Sequence, residues 1–302
     1  MVEILRLHDA SRPAPMPPSL LALDPPKPAP SSFDPLARLL AETAVGDDRA
    51  FARLYELVSP RLFAIARRIV QRDDLAEDVL QESFLRIWRA AYQYDPAKGP
   101  AYAWLVRIVR NRALSARLRM GCRDVGRAEI DVETMVSDAP DPLMLTIRSD
   151  EARRVNACLG NLPANHRRSV ALVYFEGLTH LELAERLGVQ LGTAKSWVRR
   201  GLAQMSKCLL KEDLADRRAL VAADYAIGSL QGTARRGFER RRERDARFCH
   251  AADRWEAQLA MLTEFLPEQP FASREVWKRI QQEIGRSRPA FFRLRSWQVA
   301  AA

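Results

Sequence analysis

The residues in this chain best suited to chemistry are hydrogen-bond donors and aromatic rings rather than nucleophiles. Lys195, Ser196, Arg199 and Arg200 fall outward on a stretch whose apolar positions, Ala194, Val198 and Leu202, repeat every four residues. A row of donors on one helix face suits phosphate oxygens and the acceptor edges of bases in a major groove. A second group sets rings beside cations: the loop Tyr94-Asp95-Pro96-Ala97-Lys98-Gly99, then Trp104 and Asn111 on a stretch carrying Arg107, Arg110, Arg112, Arg117 and Arg119. That combination stacks unpaired bases while neutralising their backbone. A third group is acidic and polar: Glu77, Asp78, Gln81 and Glu82. The sequence offers no glycine loop to cradle phosphate, no catalytic triad and no metal-ligand cluster, so a non-enzyme without cofactor or metal is expected.

These groups need helices to hold them. Thr179, with Glu182 three residues on, is a capping box opening a helix that buries Leu183, Ala184 and Leu187. Gly188 supplies the left-handed turn that ends it, Val189 points back to the core, and a second helix begins near Gly192-Thr193. A basic helix face alone is adequately explained by solvation; the capped helix and glycine turn in front of it are what point to DNA. In Asp73–Trp88, Ala76, Val79, Leu80, Phe84, Ile87 and Trp88 form an apolar stripe opposite the acidic face. Acids at a helix start also suit the macrodipole, so that face is not diagnostic without its neighbours.

The 302 residues divide by composition. Residues 1–32 are crowded with proline and read as a disordered arm. Helix-period patterns fill 33–123, a polar and acidic linker follows at 124–142, and a second helical unit spans 143–211. A third helical unit, of about four short helices, covers 212–287 and a basic-aromatic tail 288–302. The expected fold class is therefore all-α. Lys plus Arg number 48 against 38 Asp plus Glu, a formal charge of +10 that favours a polyanionic partner without specifying one. Cys122, Cys158, Cys208 and Cys249 are scattered, and neither a disulfide framework nor a zinc site is indicated. No apolar run reaches the ~20 residues of a membrane span and no secretory leader is evident, so a cytoplasmic location is expected.

The segment from Leu162-Pro163 through Tyr174-Phe175-Glu176-Gly177 to Leu191-Gly192-Thr193-Ala194-Lys195-Ser196 resembles region 4 of the extracytoplasmic-function sigma factors, and Asp73–Trp88 with Tyr94–Arg112 resembles their region 2. The resemblance implies an initiation factor with three surfaces. Thr193, Lys195, Ser196, Arg199 and Arg200 would read the −35 promoter element. Tyr94, Asp95, Lys98, Trp104, Arg107 and Asn111 would melt and read the −10 element. Asp78, Gln81 and Glu82 would bind core RNA polymerase, whose β′ clamp helices and β flap are the implied docking points. The chain departs from the family pattern at Trp197, usually Arg, at His180, commonly aromatic or small, and at Pro100-Ala101, usually Ser or Thr and then Phe.

The third unit has too few apolar residues for a core of its own and calls for a partner surface. Its Ala223-Asp224-Tyr225-Ala226-Ile227-Gly228, Phe238-Glu239 and Trp255-Glu256-Ala257-Gln258-Leu259 elements resemble the cytoplasmic domain of the zinc-independent anti-sigma factors related to the regulator of sigma K. That likeness implies intramolecular contact with the sigma units and inhibition until displaced. The basic run Arg240-Arg241-Arg242-Glu243-Arg244 exceeds that family's norm and reads either as a solvated face or as an additional DNA contact. Two other readings stand beside the sigma factor: a plain helix-turn-helix regulator, and an interaction decoy that regulates another sigma factor.

Overall fold

The structure, a computed structural model, describes residues 34–119, 150–211, 217–266 and 274–286. The proline-rich arm, the linker 124–142 and the tail 288–302 lie outside the described residues. Among those described there are twelve α-helices and no strand, the expected all-α class.

The first unit comprises α1 (Pro35–Ala44), α2 (Asp48–Val70), α3 (Asp73–Ala90) and α4 (Ala101–Arg119). Asp34 caps α1 by accepting from Leu36 N and Ala37 N, and its other oxygen accepts from Ala101 N at 3.3 Å, which ties the starts of α1 and α4 together. All six stripe residues expected on α3 are buried, against α2 and α4. The second unit comprises α5 (Asp150–Gly160), α6 (Ala164–Glu176), α7 (His180–Leu187) and α8 (Leu191–Leu209). The capping box is present in full, with Glu182 N donating to Thr179 Oγ1 at 3.0 Å and Thr179 N to Glu182 Oε2 at 2.7 Å. The third unit comprises α9 (Arg217–Ile227), α10 (Gly232–Arg244), α11 (Ala246–Met261), extended by a 3-10 turn, and α12 (Arg274–Arg286).

One hydrophobic core runs through all three units. Helix α6 packs on α2, α11 packs on α4 and α5, and α12 packs on α3. Gly177 ends α6 with φ +66°, and a Cβ there would fall 2.6 Å from Leu114 on α4, so the first two units meet where only glycine fits. The third unit buries Val276, Ile280 and Ile284 of α12. These residues of α12 are covered by α3 of the first unit, while α9 and α11 pack on one another within the third.

Two expectations are corrected. Cys158 on α5 and Cys208 on α8 form a disulfide, with Cα atoms 5.9 Å apart, where none was indicated; the packing of α5 along the end of α8 brings together positions 50 residues apart. Arg110 and Arg117, grouped above with backbone-neutralising cations, are instead buried. Arg117 donates to Ile69 O at 3.3 Å and pairs with Glu182 at 2.7 Å, so it clamps α4 to α2 and α7.

Candidate nucleic-acid interface

Helix α8 is set by Leu183 and Ala184 of α7 beneath it and by its own buried Ala194, Val198, Leu202 and Met205. That burial leaves Lys195, Arg199 and Arg200 exposed and Thr193 and Ser196 half-buried on the outward side. The helix begins at Leu191, one residue ahead of the expected start. His180 sits close to this face, and burial with Lys195 nearby holds its imidazole below the usual pKa. From the third unit, the Asp224 carboxyl is pushed up by burial and drawn partly back by Ser229 and by Arg199. The face is otherwise open, and its cations are available to a polyanion.

The loop between α3 and α4 consists of two 3-10 turns. Asp95 caps the second by accepting from Ala97 N at 2.9 Å and lies 3.6 Å from Lys98, while the Tyr94 hydroxyl donates to Gly99 O at 3.3 Å. The Tyr94 and Trp104 rings stand 6.0 Å apart, and burial pushes the Tyr94 phenol up to about 12, so it stays a neutral donor. All six residues proposed from sequence therefore share one surface, formed by this loop and the first half of α4.

That surface is not free. Arg107 Nη1 lies 3.0 Å from Asp253 and 3.5 Å from Glu256, both on α11. Asn111 accepts a hydrogen bond from Arg235 Nη2 of α10 at 2.9 Å. Ala257 Cβ lies 3.4 Å from where a Cβ on Gly99 would stand. Arg242 of α10 also binds Asp253 and Glu256; burial pulls its guanidinium pKa down, but Glu256, Tyr225 and Asp253 raise it further, so the net shift is upward. The acid pair is thus shared between a cation of the third unit and one of the first. A cavity of about 270 Å³ remains between the loop and α11, lined in part by Tyr94, Trp104, Arg107 and Asp253.

The acidic face of α3 is contacted as well. Arg279 of α12 reaches Glu77 at 3.4 Å and Asp78 at 3.3 Å. Its neighbour Trp277 lies 4.5 Å from Tyr55 and 5.8 Å from Phe51 between ring centroids. Glu82 pairs within its own unit, with Arg112. The deepest tie is Arg110, 5% exposed, which donates to Tyr174 O at 3.2 and 3.1 Å, to Ala226 O at 3.0 Å and to Ile227 O at 2.5 Å. It holds α4 to α6 and to the end of α9, and burial brings its pKa down to about 10. Arg235, Asp253 and Arg279 were not among the residues expected to matter, and Arg110 was expected on the nucleic-acid side, because no local pattern marks a partner that the fold brings from 64 or more positions away.

Residues 54–121 match the family of sigma-70 region 2, and residues 152–205 match that of sigma-70 region 4. The "ECF RNA polymerase sigma factor SigK" of Mycobacterium sp. (strain KMS) is 34% identical over 175 residues, which cover 57% of this chain and 89% of that protein. The protein of the same name from Mycobacterium tuberculosis (strain ATCC 25618 / H37Rv) is 34% identical over 177 residues, 58% of this chain and 93% of its own. Among solved structures, that of CnrH in complex with the cytosolic domain of CnrY matches at 26% identity and a TM-score of 0.27, covering 60% of this chain and 100% of that one. The relatives named as sigma factors are regulators of transcription, and among the described residues no helix is long and apolar enough to cross a membrane. With two sigma-70 regions in order and about a third of the aligned residues identical to those of factors that it nearly covers end to end, this chain belongs to the extracytoplasmic-function sigma factors and directs RNA polymerase to promoter DNA.

Proposed function

We propose that this chain is an autoinhibited sigma factor whose third unit, an anti-sigma-like domain, covers its own polymerase-binding and −10-reading surfaces. In this reading residues 33–123 form the region 2 domain, 143–211 the region 4 domain and 212–287 the inhibitory domain. Residues 1–32 and 288–302 flank these units, and 124–142 joins the two sigma domains. Asp78, Gln81 and Glu82 engage the β′ clamp helices, and region 4 engages the β flap. Thr193, Lys195, Ser196, Arg199 and Arg200 read the −35 element. Tyr94, Asp95, Lys98, Trp104, Arg107 and Asn111 hold the melted −10 strand. The factor works in the cytoplasm and catalyses nothing itself. Opening the duplex costs roughly 1.4 kcal/mol per base-pair step, supplied by binding of the freed bases and by polymerase contacts.

The reading rests on one observation: ion pairs from the third unit end on Asp78 and Arg107, the side chains assigned to polymerase and to the −10 strand. A covalently tethered domain competes at high effective concentration, so individually modest contacts keep the factor closed. Whatever binds the open state alone shifts the balance by its differential affinity. Run-off transcription by core polymerase tests this with the full chain and with a chain ending before Asp213. The shortened chain is expected to be at least tenfold more active, the equivalent of about 1.4 kcal/mol. Equal or lower activity would sink autoinhibition while leaving the sigma assignment in place.

A further inference from the structure

Helix α10 carries more positive charge than its packing uses. Phe238 fixes the rotation of the helix, being 2% exposed and stacked 4.5 Å from Tyr225. Arg235 and Arg242 turn toward the first unit and are paired. Arg236, Arg240, Arg241 and Arg244 turn to solvent, as does Arg247 at the start of α11, and none has an ion-pair partner among the described residues.

The spacing argues against a face that is merely solvated. Arg236, Arg240 and Arg244 follow one another at i, i+4 and i+8, so they form a single row in which each repels the next. A surface helix tuned for stability alternates its signs instead. The available acids do not restore balance, since Glu239 is taken by Arg235, which leaves Glu243 and the capping Asp245 against five arginines. Eight residues of helix rise about 12 Å. That is the axial length of three to four nucleotide steps on one strand at ~3.4 Å each.

The position of the row favours DNA over other polyanions. The inward side of α10 forms one wall of a groove of about 900 Å³ whose opposite wall includes Trp104, Arg107 and Asn111, the −10 surface. Arg86 and Arg89 of α3, exposed and without ion-pair partners among the described residues, line the same groove. A backbone approaching the −10 surface therefore meets the unpaired cations of α3 inside the groove, and the arginine row lies on the outward side of the helix that forms the other wall. We infer that the outward arginine row of α10 is a DNA-phosphate contact, which lets the factor associate with duplex DNA irrespective of sequence while its third unit is still docked. This goes beyond inhibition and does not depend on it, since the row faces away from every inhibitory contact described.

The test uses the full chain and a labelled duplex without promoter sequence, with affinity measured by fluorescence anisotropy across a salt series. Replacing Arg236, Arg240 and Arg244 together by Gln changes only exposed side chains. It is expected to reduce the slope of log affinity against log salt by about 2 to 3, one phosphate contact per arginine, and to weaken binding at least ~10-fold at low salt. Replacement by Lys, which keeps the charge, is expected to restore both. An unchanged slope and affinity in the Gln variant would overturn the proposal. So would loss of binding to phosphatidylserine vesicles with duplex binding intact, which would make the row a contact for a lipid surface.

Discussion

Two DNA-facing surfaces of this factor are treated in opposite ways. The outward face of α8 stands open, with Lys195, Arg199 and Arg200 exposed, and Asp224 of the third unit acts on Arg199. The α3–α4 surface is gripped at each end, by Arg279 on Glu77 and Asp78 and by Asp253 and Glu256 on Arg107. The difference follows from chemistry. A helix face that reads duplex edges is a row of donors, and it stays soluble uncovered. A surface that melts DNA must present rings and half-buried cations to unpaired bases, and such a surface attracts any complementary partner. On the proposed reading, covering that surface alone would silence the factor at its committing step and leave the −35 helix free to sample DNA.

The sharpest way to break this asymmetry is to remove Arg110. Its guanidinium satisfies carbonyls on α6 and α9 from within the core, so Arg110→Met leaves Tyr174, Ala226 and Ile227 oxygens buried without their donor. A loss of about 3 kcal/mol is expected, as for removal of one side of a buried charge-assisted network. Urea unfolding measures the total. Faster hydrogen exchange in α9 and α11, with α8 amides little changed, would locate it at the cover. Uniform loosening of all three units would mean that Arg110 serves the whole core.

A smaller change sharpens the comparison. Arg279→Glu places a third acid against Glu77 and Asp78, replacing two part-exposed attractions by repulsion. Each exposed pair contributes under about 1 kcal/mol, so a shift of roughly 1 to 1.5 kcal/mol toward the open form is expected, or five- to tenfold in run-off transcription. Because these pairs are solvent-accessible, added salt should narrow the gap between wild type and variant. Affinity for a −35 duplex should be the same in both. If it rises in parallel, the recognition helix is covered too and the contrast drawn above fails.

The sequence foretold the elements and missed the seams, for a physical reason. Thr179, Glu182 and Gly188 mark a helix-turn-helix locally, because caps and left-handed turns are decided within a few residues. The apolar stripe of α3 is likewise local, a matter of period. Arg110 looked like one more basic residue on a helix face, and only the arrival of α6 and α9 over it makes that face interior. Asp253 and Glu256 lie in a stretch whose acids and arginines alternate as on any surface helix, and their meeting with Arg107 spans some 150 positions. The Cys158–Cys208 bond failed to show itself because its spacing matches no short motif. Among the residues expected to serve the −10 element, those that define the loop were legible from type and order; contact with the third unit was expected from the resemblance, but the side chains that make it were not.

The smallest effect concerns the seam between the two sigma domains, where Glu176 is 1% exposed and neither of its oxygens has a hydrogen-bond partner among the described residues. Arg186 stands 3.9 Å away on α7, and Arg117 of α4 and Arg68 of α2 also act on the carboxyl. Burial raises its pKa and the three arginines draw it back, with burial the larger influence. The native state therefore holds the proton more tightly than the unfolded chain does. Between the ordinary carboxylate range and that raised value folding takes up a proton, so this residue's contribution to stability improves as pH falls and worsens as pH rises. Glu176→Gln removes the ionisation, and it is expected to stabilise the protein at neutral pH by about 1 kcal/mol or less, a gain that disappears below pH ~4 where the wild-type side chain is also neutral. Urea midpoints at the two pH values measure it. A less stable variant at neutral pH would show that the arginines need their counter-charge more than the site resents it, and that region 4 is locked to region 2 rather than held at a cost that favours its release.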